Sequence, residues 1–264
     1  VAKHFLGFHN SQGGIHGANC DIPERLLNEV YGKPFQAAIT EAELRGIMPC
    51  YSSINGEPLS SSHKMLTGLL RDEMGFDGVC AADYGAVGNV FHVQKVGESV
   101  TEAGLMCMEA GMDVEMQNCM GFNEELKTWF QTGKADVEIL NRAVRRVLEA
   151  KFRMGIFEHP FALEEEKLRN TFYDDEDRNV LLKAALESLI LLKNNGVLPF
   201  KREIRKIAVV GCHARNARCF FGGYTHISMM EAVHAVANSI AGMKSGDVEG
   251  KRNAYCTRNT DSER

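Results

Sequence analysis

Residues 79–82, Val-Cys-Ala-Ala, form a run too short for a helix and apolar enough for burial on both faces, and the run ends on a carboxylate, Asp83. A turn, Gly75 to Gly78, leads into it, and an aromatic and a glycine, Tyr84 and Gly85, follow it. A buried strand with an acid at its C-terminal end has the usual address of chemistry in an α/β barrel. Asp is equally a turn starter and helix cap, so the surroundings must decide between the two readings.

Those surroundings alternate. Strand-like runs are expected at Val1–Phe8, Gly46–Tyr51, Val79–Ala82 and Gly111–Met116. Helical stripes separate them. One covers Ile22–Glu43, with Leu27, Tyr31, Phe35 and Ile39 at i, i+4 spacing and Pro34 as a kink. Another covers Ser62–Met74 and closes at Gly75, and a third covers Glu98–Ala110. Helices at Asn123–Gln131 and Asp136–Met154 follow, the second with Asp136 as N-cap and Gly155 as stop. Strand–helix alternation with short apolar strands predicts a parallel α/β sheet. A closed barrel needs about eight such units, so this region is expected to be half of a (β/α)8-like barrel.

Residues 1–158 are assigned to that half barrel, 159–176 to a linker rich in Glu and Asp, and 177–264 to the start of a second α/β unit, which the family resemblance given below makes the start of an α/β sandwich domain. In the last region Asn179–Lys193 reads as an amphipathic helix and Lys206–Gly211 as a buried strand. Gly222-Gly223-Tyr224 reads as a turn, Ser228–Ala241 as a helix, and the chain becomes polar and irregular from Met243.

A formal charge of −5 argues against a nucleic-acid or anionic-membrane surface, and no apolar run reaches the ~18 residues of a membrane span. The eight cysteines contain no C-x-x-C pair, which removes support for a zinc or redox site; no metal or cofactor is expected. Cys50 and Cys80 lie in strand-like runs as small hydrophobes, and a reducing, cytoplasmic compartment follows. The chain opens on Val1 inside an apolar run, so no leader is readable. Oligomeric state is left open.

The expected strand ends present Lys3 and His4, then Tyr51, then Asp83, then Asp113 and Glu115. In a parallel barrel such ends converge on one face. A cation, an imidazole, a phenol and carboxylates around one pocket suit a polyhydroxylated ligand. Taken singly, each has an ordinary structural explanation; only the convergence is informative.

The ordered set KHF before a Gly-rich loop, MPCYSSINGEP, LLRDEMGFDGVCAADYGAV, AGMDVEM, AVRRVLEAKFRMGIFE and ESLILLKNNGVLPF resembles family 3 of the glycoside hydrolases, the β-glucosidase group. The match runs in order from Val1 to about Ser239. The resemblance implies a barrel followed by an α/β sandwich, and a retaining exo-acting β-glycosidase that removes terminal glucosyl or xylosyl residues from a β-linked oligosaccharide or glycoside. It implies Asp83 as catalytic nucleophile, Lys3 and His4 bonded to sugar hydroxyls, Tyr51 beside the nucleophile, and Met48 and Tyr84 lining the subsite.

Retention requires a second carboxyl group about 5–5.5 Å away. In the family that Glu comes from the second domain, past the region matching Arg264, and an Asp and an Arg come from upstream strands. The chain by itself is therefore expected to be inactive on aryl β-glucosides. Many members carry an Arg in the loop where this chain reads Gly14-Ile15-His16, and a Trp where it has Tyr84.

Successive side chains of a strand point to opposite faces. If Lys3 and His4 both bind sugar, the backbone between them must leave β geometry, through a strained or cis peptide. Three other readings are weighed. A β-N-acetylhexosaminidase branch of the family uses a loop Asp-His pair that GFHNSQGGIHG lacks. A truncated, non-catalytic sugar-binding product is the second. A nucleotide-binding domain is suggested by AVVG, but no G-x-G-x-x-G follows it.

Overall fold

The structure is a computed structural model, and it describes residues 1–172 and 175–231. The chain divides into two compact units, the first Val1–Phe172 and the second beginning at Tyr173.

The first unit is an α/β layer built on a parallel sheet. Strands β1 (Ala2–Phe5), β2 (Gly46–Pro49) and β5 (Val79–Cys80) pair in sequence order, and β3 (Ser53–Ile54) and β4 (Glu57–Pro58) form a separate antiparallel hairpin. The register sets Ala2 opposite Ile47, Lys3 opposite Met48 and Gly46 opposite Val79. Phe5, Ile47, Cys50, Cys80 and Ala82 are all fully buried, as short central strands require. The hairpin was not anticipated, although its signal stands in the sequence. Asn55 and Gly56 take positive φ (51° and 87°), the Asn-Gly turn that joins two antiparallel strands.

The fourth strand expected at Gly111–Met116 is reduced to one bridge, Ala81 with Val114. A side chain accounts for the shortening. Cys80 N–H donates to Asp113 Oδ2 at 2.9 Å, while Cys80 C=O accepts from Asp113 N–H at 2.8 Å and Val114 N–H at 3.2 Å. The carboxylate thus occupies a place that a backbone carbonyl holds in a regular ladder.

The helices follow their caps. Helix α1 (Glu24–Leu26) continues through a π-helical turn, Leu27–Gly32, into α2 (Lys33–Glu41). Pro34 lies in the first turn of α2, where its missing N–H costs little. A second π-helical segment, Lys64–Glu73, buries Met65, Leu66, Leu69 and Leu70. Helix α3 (Ala86–His92) follows β5 directly. The Ser99 side chain caps α4 (Val100–Ala110), Asn123 caps α5 (Glu124–Thr132), and Asp136 caps α6 (Val137–Arg153). A Cβ on Gly104 would stand 2.3 Å from Gly121 O, so only glycine lets α4 approach that loop. The segment expected as a linker is helical over α7 (Glu165–Phe172), with Glu165 and Glu166 in its first turn, where the helix dipole favours carboxylates.

In the second unit, α8 (Asp175–Glu187) starts four residues before the expected helix and ends earlier, with Leu181, Leu182 and Leu186 exposed. Lys206–Gly211, expected as a strand, has no strand partner among the described residues. Apolar character makes a segment able to be a strand; only a neighbour's N–H and C=O groups make it one. The turn at Gly223-Tyr224 is present, closed by Thr225 N–H donating to Gly222 O at 3.1 Å. The expected helix Ser228–Ala241 lies outside the described residues after residue 231, as does the region from Met243. No helix among the described residues is long and apolar enough to cross a membrane.

The first unit turns on Asp113. Its side chain is fully buried and accepts from Arg71 at 2.7 Å and Arg146 at 3.0 Å, besides Cys80 N–H. Arg71 also donates to Gly78 O at 3.1 Å and Gly111 O at 3.3 Å, tying the π-helical segment to both chain segments beside β5. Burial lowers the Arg71 pKa, and the charge of Asp113 opposes that fall. Removing the shared anion leaves two guanidinium groups without their counter-charge. Asp113→Ala is expected to lower the unfolding free energy by about 3–5 kcal/mol, read from a urea titration.

Candidate active site

Asp83 stands three residues past the end of β5, on a chain pinned before and after it. Ala81 N–H donates to Ile47 O (2.9 Å) and Ala82 N–H to Val114 O (2.8 Å) on the approach. On the exit, Gly85 N–H donates to Met116 O (3.1 Å) and Ala86 N–H to Asp83 O (3.0 Å). Gly85 itself takes φ 72°, a left-handed turn that starts α3 without a Cβ clash.

Both oxygens of the carboxylate are engaged. Tyr84 N–H donates to Oδ1 at 2.7 Å, and His4 Nε2 lies 3.0 Å from Oδ2. The Asp83 side chain is 13% exposed, which leaves it reachable and largely shielded from solvent. His4 arrives from β1 through a cis Lys3–His4 peptide, and the β1–β2 pairing slips there, from Lys3–Met48 directly to Phe5–Pro49. This is the departure from β geometry expected if both residues serve one site.

The His4 pKa is lowered. Burial is the main cause, the charges of Lys3 and His16 add to it, and Asp83 works against it. The neutral ring with its Nε2–H directed at Asp83 is therefore the favoured form.

Tyr51 and Tyr84 adjoin this pair. Tyr51, just beyond β2, donates its hydroxyl to Tyr84 O at 2.8 Å, so the phenol and the Asp83 loop hold each other. The Tyr84 side chain is exposed beside the carboxylate. Lys3 is exposed and sits in register with the nearly buried Met48. Two rings complete the group. Phe8 lies 5.2 Å from His4 and 5.4 Å from His16, and His16 meets Tyr51 edge-on at 4.7 Å. Phe8 was not singled out from the sequence; its only signal was its place in the KHFLGF run. His16 was noted only as standing where an Arg is common.

Asp113 and Glu115 do not join them. Asp113 points into the core against Arg71 and Arg146, and Glu115 accepts from Gly121 N–H (3.0 Å) and Phe122 N–H (2.7 Å). Their expected place at the mouth of the sheet is corrected accordingly. A carboxylate among unpaired backbone N–H groups or guanidinium groups is drawn to them and away from an open face.

The Cys50 and Cys80 thiols behind the site are pushed up by burial, to about 11 and about 12, and stay protonated and inert. Since folding lowers the His4 pKa, its contribution to stability is whole above the unfolded value of about 6.5 and is lost as pH falls through the folded value. Melting temperature is expected to hold above about pH 7 and to fall more steeply toward pH 5 in the native protein than in His4→Gln, by differential scanning fluorimetry.

Residues 1–150 match the family model described as the glycosyl hydrolase family 3 N terminal domain. A β-xylosidase from Formosa agariphila is 35% identical over 235 residues, covering 85% of this chain and 32% of that protein. A β-glucosidase from Rhizobium radiobacter is 32% identical over 245 residues, covering 92% of this chain and 27% of its own length. Among solved structures, a β-glucosidase from Erythrobacter marinus superposes with TM-score 0.70 at 33% identity, over 75% of this chain and 26% of that one. A β-glucosidase from Listeria innocua superposes with TM-score 0.67 at 31% identity, over 75% of this chain and 27% of that one. The chain thus spans about a third or less of the length of these relatives. By the match of its first 150 residues, the chain belongs to glycosyl hydrolase family 3.

Proposed function

We propose that the chain is part of a retaining exo-acting β-glycosidase that removes terminal β-D-glucosyl or β-D-xylosyl residues. Asp83 is the nucleophile of this reading. The observation that carries it is the placement of the Asp83 carboxylate just past the C-terminal end of β5, oriented through both oxygens by His4 and Tyr84 N–H. A carboxylate held in this way attacks from one direction without first reorganising. Relatives described as β-glucosidases and β-xylosidases support the substrate class, and the Listeria innocua β-glucosidase was solved in complex with glucose.

In the first step one Asp83 oxygen bonds to the anomeric carbon while the glycosidic C–O bond breaks and a second carboxyl group protonates the departing oxygen. Water then cleaves the glycosyl–Asp83 ester, giving up its proton to that same group. Asp113 and Glu115 are each occupied elsewhere, so the acid of this reading is the Glu that the family draws from its second domain. Lys3 and His4 hydrogen-bond sugar hydroxyls, Lys3 as donor and the unprotonated Nδ1 of His4 as acceptor, Met48 forms the apolar floor beside Lys3, and Tyr51 and Tyr84 flank the nucleophile. Residues 1–158 are the C-terminal half of the barrel in this reading, and 177–264 open the sandwich domain.

The test is covalent trapping of the full protein that carries this chain by an activated 2-deoxy-2-fluoro-β-D-glucoside, followed by peptide mass mapping. The expected result is one glycosyl label on Asp83. Asp83→Asn is expected to remain unlabelled and to lose a factor on the order of 10³ or more in kcat on aryl β-glucosides. A label on a different carboxylate would remove Asp83 from the role.

A further inference from the structure

Tyr51 is held at both ends, and one of the two holds comes from a residue outside the site. At its outer end the hydroxyl donates to Tyr84 O at 2.8 Å. At its inner end the backbone carbonyl accepts from Gln94 Nε2 at 3.0 Å, and the same amide lies 3.2 Å from Ser53 Oγ. Gln94 lies 43 residues away in sequence, just past the end of α3.

Its backbone is fixed by the way that helix stops. Val93 N–H and Gln94 N–H both donate to Asn89 O (2.9 and 2.8 Å), Val96 N–H donates to Val90 O (2.9 Å), and Lys95 takes φ 59°. Helix α3 begins at Gly85, two residues after Asp83. The helix and its final turn therefore form a brace. One end carries Asp83 and Tyr84, the other carries Gln94, and Tyr51 is bonded to both ends. A continuous series of hydrogen bonds results, from Gln94 to Tyr51 O, from Tyr51 hydroxyl to Tyr84 O, and from Tyr84 N–H to Asp83 Oδ1.

We propose that Gln94 is a positioning residue for the candidate active site, setting the depth of Tyr51 and, through Tyr84, the orientation of the Asp83 carboxylate. The role rests on the reading of Asp83 as nucleophile. Gln94 touches no reacting atom in this scheme. Its amide suits the task because one nitrogen supplies two N–H donors, matched here by a carbonyl and a hydroxyl oxygen. A carboxylate of the same length offers no donor to either when ionised.

The test pairs a rate with a spectroscopic signal, using the full protein that carries this chain. Labelling by the activated 2-deoxy-2-fluoro-β-D-glucoside is followed in the native protein, Gln94→Ala and Gln94→Glu, with circular dichroism to establish that each is folded. In parallel, 3-fluorotyrosine placed at position 51 reports the ring by ¹⁹F resonance. Expected are a shifted or broadened ¹⁹F signal in both variants and a saturating labelling rate about tenfold slower, with little change in the half-saturating concentration. The Glu variant, which keeps the length of the side chain, separates donation from packing.

Native labelling on Asp83 with unchanged rates in both variants overturns the positioning role and leaves the nucleophile reading standing. An unchanged ¹⁹F signal overturns the hold on Tyr51 whatever the rates. Failure of the native protein to be labelled on Asp83 overturns the nucleophile reading, and the catalytic role of Gln94 falls with it.

Discussion

The first unit depends on a single buried carboxylate. Asp113 has no exposed side-chain surface, and it draws in Arg71 from the π-helical segment, Arg146 from α6 and a backbone N–H from β5. A charge so placed is tolerable only when its lone pairs are all answered. The answer fixes how two helices sit against the last strand of the sheet. It also holds the chain at Gly111–Met116 to a single bridge with Ala81, because the carboxylate takes a position in the ladder. The chain then leaves β5 as a loop, and that loop presents Asp83.

The site itself economises on side chains. Asp83 is oriented by one imidazole and one backbone N–H, Tyr51 by the Tyr84 carbonyl and the Gln94 amide, and the rings of Phe8 and His16 link His4 to Tyr51. Few of these contacts are charged pairs. A neutral His4 donor leaves the negative charge of Asp83 in place while still directing it. In the reading of Asp83 as nucleophile, direction without neutralisation suits attack on an electron-poor carbon.

Much of the helical architecture was legible because its determinants are local. Ser99, Asn123 and Asp136 cap the helices that their positions announce, and Gly111, Gly133 and Gly155 end them with positive φ. The hairpin at Asn55-Gly56 was equally legible from its Asn-Gly pair, though it was not anticipated. Lys206–Gly211 shows the opposite case. Its apolar run satisfies a strand pattern, yet pairing depends on a neighbour that no local pattern supplies. The stretch 159–176, expected as a linker, is helical over Glu165–Phe172, where carboxylates in the first turn favour a helix.

The sequence by itself determined the family, the alternation of short buried strands with capped helices, and the end-of-strand position of Asp83. It tied a shared role for Lys3 and His4 to an irregular backbone between them, since β geometry turns neighbouring side chains to opposite faces. All of these rest on periodicity, caps and residue order, which are properties of neighbouring positions. Only the tertiary structure decided which acids stay available. Asp83, Asp113 and Glu115 look alike in sequence, each at or near the end of an apolar run. Their fates diverge because Arg71, Arg146 and the Gly121–Phe122 backbone reach two of them and His4 reaches the third. Those partners come from up to 79 residues away, as 83 minus 4 shows for His4 and Asp83, and long-range pairing of this kind exists only once the sheet has set its strands side by side.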